Sequence, residues 1–183
     1  MTFCGGLLTV KLGWMLRGLL VGVVMLLGVS AARAQVGIYG AFSTGTVSQP
    51  NTSRMYGGTF GVYYDGKHYP GVDLGLDLRL MKLPSHSSTN TPGVLFGPRA
   101  AVRVPAVPLH FYAQGMVGDT HVTYGQGTAY YSGSGFETAY ALGVDLTVLP
   151  HVDWRVLEFD EGHIFGAHTG MESVSTGLVV RLL

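Results

Sequence analysis

Strict alternation of apolar and polar residues is the feature that most constrains the fold of this chain. Over residues 72–80 every second residue is valine or leucine, and the residues between them are aspartate, glycine and arginine. The same alternation recurs over 96–103 and over 140–148. Successive side chains of a β-strand point to opposite faces of the sheet, so the pattern predicts strands with one apolar and one polar face.

Turn residues divide the chain after residue 35 into eight candidate strands. We predict them over 36–42, 55–64, 71–82, 94–104, 109–122, 136–149, 152–164 and 173–182. Tight turns are expected at 65–68, 105–108 and 150–151, and longer connections over 43–54, 83–93, 123–135 and 165–172. Short turns at one end and long loops at the other are typical of outer-membrane barrels. The predicted fold is all-β, an eight-stranded antiparallel up-and-down transmembrane β-barrel.

The N-terminal segment has the organisation of an export signal. Lys11 and Arg17 precede an uncharged apolar stretch over 19–29, and Ala32 and Ala34 form an A-x-A cleavage site before Gln35. Because this stretch is well below the roughly 20 residues that span a bilayer, a cleaved signal peptide is favoured over a membrane anchor. We therefore expect a signal peptide over 1–34 and an outer-membrane β-barrel domain over 35–183.

Composition excludes several classes of function. Charged residues make up only 12% of the chain, about half the usual share of a soluble domain. The formal net charge is zero, and no run of basic residues offers a nucleic-acid site. The single cysteine, Cys4, lies within the predicted signal, so the remaining chain has no thiol for a disulfide or a metal site.

The polar face of the predicted strands combines small residues with ionisable ones, which suits the crowded interior of an eight-stranded barrel. Glu158 faces inward only if a bulge near residues 156–157 interrupts the alternation that starts at Arg155. Such charges need partners, so we expect an ion-paired network that fills the lumen and leaves at most a narrow pore. The expected lumen charges are Asp73, Asp77, Arg79, Arg99, Arg103, Asp145, Arg155 and Glu158.

Aromatic residues near the strand ends suggest the interfacial girdles of a lipid-embedded barrel. The candidates are Phe42, Tyr56, Tyr63, Tyr64, Phe96, Phe111, Tyr140 and Trp154.

Residues 143–156 resemble the penultimate strand pair of the small outer-membrane β-barrel family, the transmembrane domain of the outer membrane protein A type. A G-h-D-h-x-h stretch leads through a short turn to a strand in which arginine lies between hydrophobic residues, and Arg155, Glu158 and Asp160 match its charged positions. The resemblance implies a closed eight-stranded barrel without a cofactor. Family members usually end in an aromatic residue, whereas this chain ends in Leu183.

Other candidate sites are weaker. Ser85, Ser87 and Ser88 flank His86 in a polar loop, and the five-residue spacing of His163 and His168 is not a recognised metal-ligand pattern. We expect no catalysis and no metal at either place. Three tyrosines of the predicted connection over 123–135 offer possible loop contacts, because exposed aromatics flanked by glycine and serine make adaptable surfaces. They are Tyr124, Tyr130 and Tyr131.

The sequence thus favours a non-enzymatic outer-membrane barrel with a structural, envelope-integrity or adhesive role. We expect it to contact outer-membrane lipid and, during biogenesis, the barrel-assembly machinery, to act as a monomer and to bind no nucleic acid. The alternative is a secreted, soluble lipocalin-like barrel that holds a small apolar ligand. A third hypothesis is an outer-membrane lipid A acyl hydrolase, but the sequence lacks the placement of catalytic serine and histidine that such an enzyme needs.

Overall fold

The structure is a computed structural model that describes residues 35–48, 54–85, 90–126, 129–166 and 168–182, with the side chains of 124–126 and 129–131 left undescribed. Ala32 and Ala34 of the predicted cleavage site lie outside these ranges, so the signal peptide stays a prediction. The described part of the chain contains no helix that is long and apolar enough to cross a membrane.

Eight antiparallel strands form one closed sheet. Each strand pairs with the next along the chain, and β1 also pairs with β8, which closes the barrel. The predicted fold is thereby confirmed. The strands are β1 (Gln35–Val47), β2 (Met55–Tyr69), β3 (Val72–Pro84), β4 (Asn90–Arg103), β5 (Leu109–Gln126), β6 (Ala129–Leu149), β7 (Val152–Ile164) and β8 (Thr169–Arg181).

The alternation read from the sequence separates the outside of the barrel from the inside. On β3, Leu76 is 57% exposed and faces outward, while Asp77 and Arg79 on the same strand are buried in the lumen. Every strand with a described burial pattern shows this alternation over part of its length. Exposed leucines around a charged interior are the arrangement of a membrane-spanning barrel. It is opposite to a soluble lipocalin-like barrel, whose apolar face points inward.

Most of the predicted girdle aromatics face outward, but Tyr63 does not. Its side chain is buried in the lumen, because it alternates with the exposed Val62 on β2. The assignment of Tyr63 to a lipid-facing girdle was therefore wrong.

The first of several predicted connections that differ from the structure lies between β2 and β3. The turn expected at residues 65–68 is strand, with a register shift between Asp65 and Lys67, and the chain reverses instead at Pro70 and Gly71. Gly71 adopts φ = 85°, a conformation that glycine accepts without strain. Asp65 is held in the sheet because its side chain faces the lumen near Arg99.

The long loop expected over 123–135 is also wrong. β5 and β6 continue through most of this segment as a paired hairpin, with Gln126 opposite Ala129. Serine, threonine and glycine suggested a loop, but paired antiparallel strands keep their backbone hydrogen bonds without needing an apolar face. The other long connections are shortened too, since β1 reaches Val47 and β3 reaches Pro84.

We call the end with the β2–β3, β4–β5 and β6–β7 turns the short-turn end, and the opposite end the loop end. Both the first described residue and the last lie at the short-turn end, as expected from an even number of strands.

Candidate functional site: the charged lumen

Arg79 occupies the middle of the lumen and is 1% exposed. Its Nη1 donates to Asp160 at 2.6 Å, its Nη2 to Glu158 at 2.8 Å and to Gln114 at 2.9 Å, and its Nε to the hydroxyl of Tyr39 at 3.1 Å. These acceptors come from β1, β5 and β7, so one guanidinium links four strands across the barrel. Charge-assisted hydrogen bonds of this kind are about twice as strong as neutral ones.

Glu158 is the second centre of the network. Its Oε2 accepts hydrogen bonds from Arg79, from Arg155 at 3.0 Å and from the Tyr112 hydroxyl at 2.6 Å. The inward position depends on a bulge, because the pairing of β7 with β8 shifts between Arg155 and Glu158. Without the extra residue, strict alternation from Arg155 would turn the carboxylate toward lipid.

Asp77 and Asp145 complete the central contacts. Asp77 accepts hydrogen bonds from Tyr39 at 2.8 Å and from Gln114 at 3.1 Å, and Asp145 accepts one from Arg155 at 3.1 Å. We use the name central network for the buried groups that these hydrogen bonds and the ion pair of Arg99 with Asp145 join. It consists of Tyr39, Asp77, Arg79, Arg99, Tyr112, Gln114, Asp145, Arg155, Glu158 and Asp160.

Tyrosine rings and guanidinium groups alternate across the network. The Arg99 guanidinium lies between Tyr63 and Tyr112, at 4.2 and 4.1 Å from the two ring centroids. That of Arg155 lies between Tyr112 and Tyr39, at 4.7 and 4.1 Å. Cation–π contacts in a desolvated space can each contribute about 2 kcal/mol. The stack therefore stabilises arginines that carboxylates alone do not fully satisfy.

Arg99 is held more loosely by its carboxylates than Arg79 is. Its nearest oxygens are those of Asp145 at 3.6 Å and Asp65 at 3.7 Å, too far for hydrogen bonds. Within the described chain its Nε and Nη1 have no hydrogen-bond partner. The aromatic stack is thus the main contact of this guanidinium.

Close packing of the tyrosines requires small residues on the neighbouring strands. Tyr63 on β2 is paired with Gly37 on β1, and its ring covers that glycine so closely that a Cβ there would overlap the ring. Glycine at position 37 therefore lets an aromatic side chain lie flat against the barrel wall.

A second set of ion pairs closes the short-turn end. Asp73 accepts a hydrogen bond from Arg103 at 2.8 Å and contacts His68. Asp153 lies 2.9 Å from Arg181 and 3.9 Å from His110. Arg103 is at the rim, where its side chain is 45% exposed and also donates to Gln35 at 2.5 Å.

Of the eight charges expected in the lumen, six lie in the central network, while Asp73 and Arg103 form a separate pair at the short-turn rim.

The sequence interpretation missed the lumen tyrosines and Asp65, Asp153 and Arg181. Alternation along the strand could have indicated the face of Tyr39. Because Ile38 faces outward, the next side chain, that of Tyr39, faces the lumen. The backbones of Tyr124, Tyr130 and Tyr131 belong to the β5–β6 hairpin, and their side chains lie outside the described part.

Toward the loop end the lumen changes character. Apolar side chains fill it there, in a contiguous cluster of Val47, Met55, Met81, Leu83, Leu95, Met116, Ala139, Ala141 and Met171. Glu137 is also fully buried and accepts a hydrogen bond from Thr120. Among the described residues, no three His, Cys, Asp or Glu side chains are grouped so that they could hold a metal ion.

Solved structures with this strand arrangement include three bacterial proteins. Neisserial surface protein A superimposes with a TM-score of 0.56 at 15% identity, covering 81% of this chain and 97% of that protein. The attachment invasion locus protein Ail of Yersinia pestis gives a TM-score of 0.54 at 12% identity over 81% and 97% of the two chains. The fold is that of the small outer-membrane β-barrels.

The N-terminal β-barrel domain of OprF from Pseudomonas aeruginosa agrees equally well. Its TM-score is 0.54 at 12% identity, and the match covers 82% of this chain and all of that domain. No family model and no curated protein sequence matches the chain. At these sequence identities the similarity shows the fold only. It does not extend to the side-chain contacts in the lumen, which belong to this chain.

Proposed function

We propose that this chain is a non-enzymatic outer-membrane protein whose lumen is closed by the central network and whose loop end makes adhesive contacts outside the cell. The observation that carries the proposal is the length of the β5–β6 hairpin. These strands have 18 and 21 residues, whereas β1, β3, β7 and β8 each have 13. A membrane-crossing strand needs only about 9–11 residues, so the hairpin extends well beyond the bilayer.

The lumen supports a structural rather than a transporting role. Arg79, Arg155 and Glu158 are each at most 1% exposed and bonded to groups from several strands, so opening a path would break many charged hydrogen bonds together. Each broken charged bond costs about 1.5–3 kcal/mol. Recordings from the protein in planar bilayers should therefore show no steady conductance.

The chemistry of the hairpin supports contact with a partner. It carries Tyr124, Tyr130 and Tyr131 among glycine and serine, a composition that favours adaptable recognition. The similarly folded Ail is named for attachment and invasion, and it has been crystallised in complex with a heparin analogue. An attachment role for this chain agrees with both facts. We place the loop end outside the cell and the short-turn end in the periplasm.

Orientation is tested by labelling single cysteines on intact cells with a membrane-impermeant maleimide, in a Cys4→Ser background. Ser132 lies on the hairpin and Val107 in the β4–β5 turn, and both are exposed. Ser132→Cys should be labelled on intact cells, and Val107→Cys only after lysis. Labelling of Val107→Cys on intact cells would contradict the proposed orientation.

Adhesion is tested with cells that express the wild type or the triple variant Tyr124→Ser, Tyr130→Ser and Tyr131→Ser. Attachment to cultured epithelial cells should fall to the level of cells without the protein. Tyr69→Ser is the matched control, because Tyr69 is an exposed tyrosine at the opposite end of the barrel. If the triple variant reaches the outer membrane and attaches as well as the wild type, the hairpin tyrosines are not the adhesive surface.

A further inference from the structure

Methionine is confined to one part of this barrel. The four methionines after residue 35 are Met55, Met81, Met116 and Met171, and all are buried at the loop end of the lumen, none more than 7% exposed. The exposed large apolar residues of the outer face are leucine, valine, isoleucine and aromatics, with no methionine among those described. Thioether sulfur is thus concentrated inside the barrel.

Glu137 lies within this methionine-rich region. Its Oε1 lies directly over Gly162, and Gly162 is the cross-strand partner of Met171. The other carboxylate oxygen accepts the Thr120 hydrogen bond, while Oε1 has no hydrogen-bond partner in the described part of the chain. A fully buried carboxylate oxygen without a partner costs about 1–3 kcal/mol or more, so a ligand at this position would stabilise it.

Met81 and Met116 are linked to the surroundings of Glu137 through Thr120 and Ala139. A Cβ placed on Gly93 would lie 2.5 Å from the Thr120 hydroxyl and 3.0 Å from the methyl carbon of Met81, so that thioether lies beside the donor to Glu137. Met116 is paired with Ala139, which shares the inward face of β6 with Glu137. Met81, Met116 and Met171, on β3, β5 and β8, thus belong to one contiguous cluster that also contains Ala139, the inward neighbour of Glu137 on β6.

The charges in the lumen leave room for a cation. Eight carboxylates are buried there, against five arginines that face inward. Within the described residues, only Asp77 and Glu137 of these carboxylates form no ion pair within 4 Å. Asp77 accepts two hydrogen bonds, whereas Glu137 accepts one. Glu137 is therefore the least compensated anion of the interior.

From this arrangement we propose that Met81, Met116, Met171 and Glu137 form a binding site for a soft monovalent cation, Cu(I). Thioether ligands select Cu(I) over harder ions. Ca²⁺ and Mg²⁺ prefer a shell of about six or more oxygens, which one carboxylate and one hydroxyl do not supply. A single positive charge also balances the single carboxylate.

The test is a titration of the full chain in detergent with Ag(I), the redox-stable analogue of Cu(I), and with Cu(I) under ascorbate in competition with a chromophoric chelator. We expect one equivalent of either ion to bind to the wild type. The variant with Met81→Leu, Met116→Leu and Met171→Leu should bind none, and Glu137→Gln should bind about tenfold more weakly. Leucine conserves the apolar volume, so the barrel should remain folded and heat-modifiable.

Met55→Leu is the matched control. Its sulfur is already contacted by the Thr91 hydroxyl at 3.3 Å, and it is not part of the proposed ligand set. This variant should bind Ag(I) within about twofold of the wild type. The proposal is overturned if the triple leucine variant binds as much metal as the wild type, if the wild type binds none, or if Met55→Leu loses binding as the triple variant does.

Discussion

The middle of the lumen and its short-turn end hold arginine, tyrosine and carboxylate side chains, whereas the loop end holds methionine and leucine together with one glutamate. In the first region Arg79 and Glu158 each have three or more partners from different strands. In the second, Glu137 has one described hydrogen bond and apolar neighbours. The same closed barrel therefore contains two kinds of interior. In one, hydrogen-bond and ion-pair partners determine which side chain can stand at each position. In the other, side-chain volume is the main requirement.

This difference shows how a small barrel can be filled without a conventional core. An outward apolar face gives no hydrophobic packing to the interior, so the interior must be stabilised by its own contacts. Ion pairs satisfy this need only when every group is paired, because a buried charge without a partner is costly. Residues in the charged region should consequently tolerate far less change than those at the loop end.

The largest effect is expected for Arg79→Met. The substitution keeps much of the side-chain volume but leaves Glu158 and Asp160 without their shared cation, so we expect a loss of about 3–5 kcal/mol in the free energy of unfolding. Urea unfolding in phospholipid vesicles, followed by Trp154 fluorescence, measures it. Arg103→Met is the control: its side chain is 45% exposed at the rim, so it should cost about 1 kcal/mol or less. Equal losses for the two variants would contradict the distinction between network and rim.

A smaller loss is expected for Glu158→Gln. The shape of the side chain is conserved, but the three donors from Arg79, Arg155 and Tyr112 lose an anionic acceptor. Since a hydrogen bond to a charged group contributes about 1.5–3 kcal/mol, the loss in unfolding free energy should lie in that range. The same vesicle measurement detects it. Stability equal to that of the wild type would mean that the carboxylate charge is not what holds the three donors.

The sequence predicted the charged region better than the loop end. Asp77 and Arg79 lie on a strand of regular alternation, where period two alone gives the face of every residue. Glu158 required a bulge, and the clue was the conflict between a charged residue and a lipid-facing position. The network partners could not be assigned in this way, because contacts such as that of Arg79 with Asp160 depend on the register of strands distant in sequence.

The tyrosines of the lumen escaped sequence analysis for a chemical reason. Tyrosine suits both a membrane interface and a polar interior, so the composition of a strand does not decide its face. Tyr63 was assigned outward on that basis, although its pairing with Gly37 places it over the barrel wall. The hairpin of β5 and β6 was missed because its Ser, Thr and Gly residues are typical of loops, and residues 123–135 show no alternation of apolar and polar side chains that would indicate a strand.

The smallest effect, and the sharpest contrast with Glu158, is expected for Glu137→Gln without added metal. Both glutamates are fully buried, and the substitution is the same. At position 137 it removes a charge that has one neutral donor, Thr120, and no ion pair within 4 Å among the described residues. Losing one hydrogen bond to a charged acceptor is offset by no longer burying that charge. The unfolding free energy should therefore change by about 0.5 kcal/mol or less, or increase, in the vesicle assay. A loss as large as that of Glu158→Gln would show that Glu137 is held by the barrel as firmly as the central network, and that the two regions of the lumen do not differ in the way proposed.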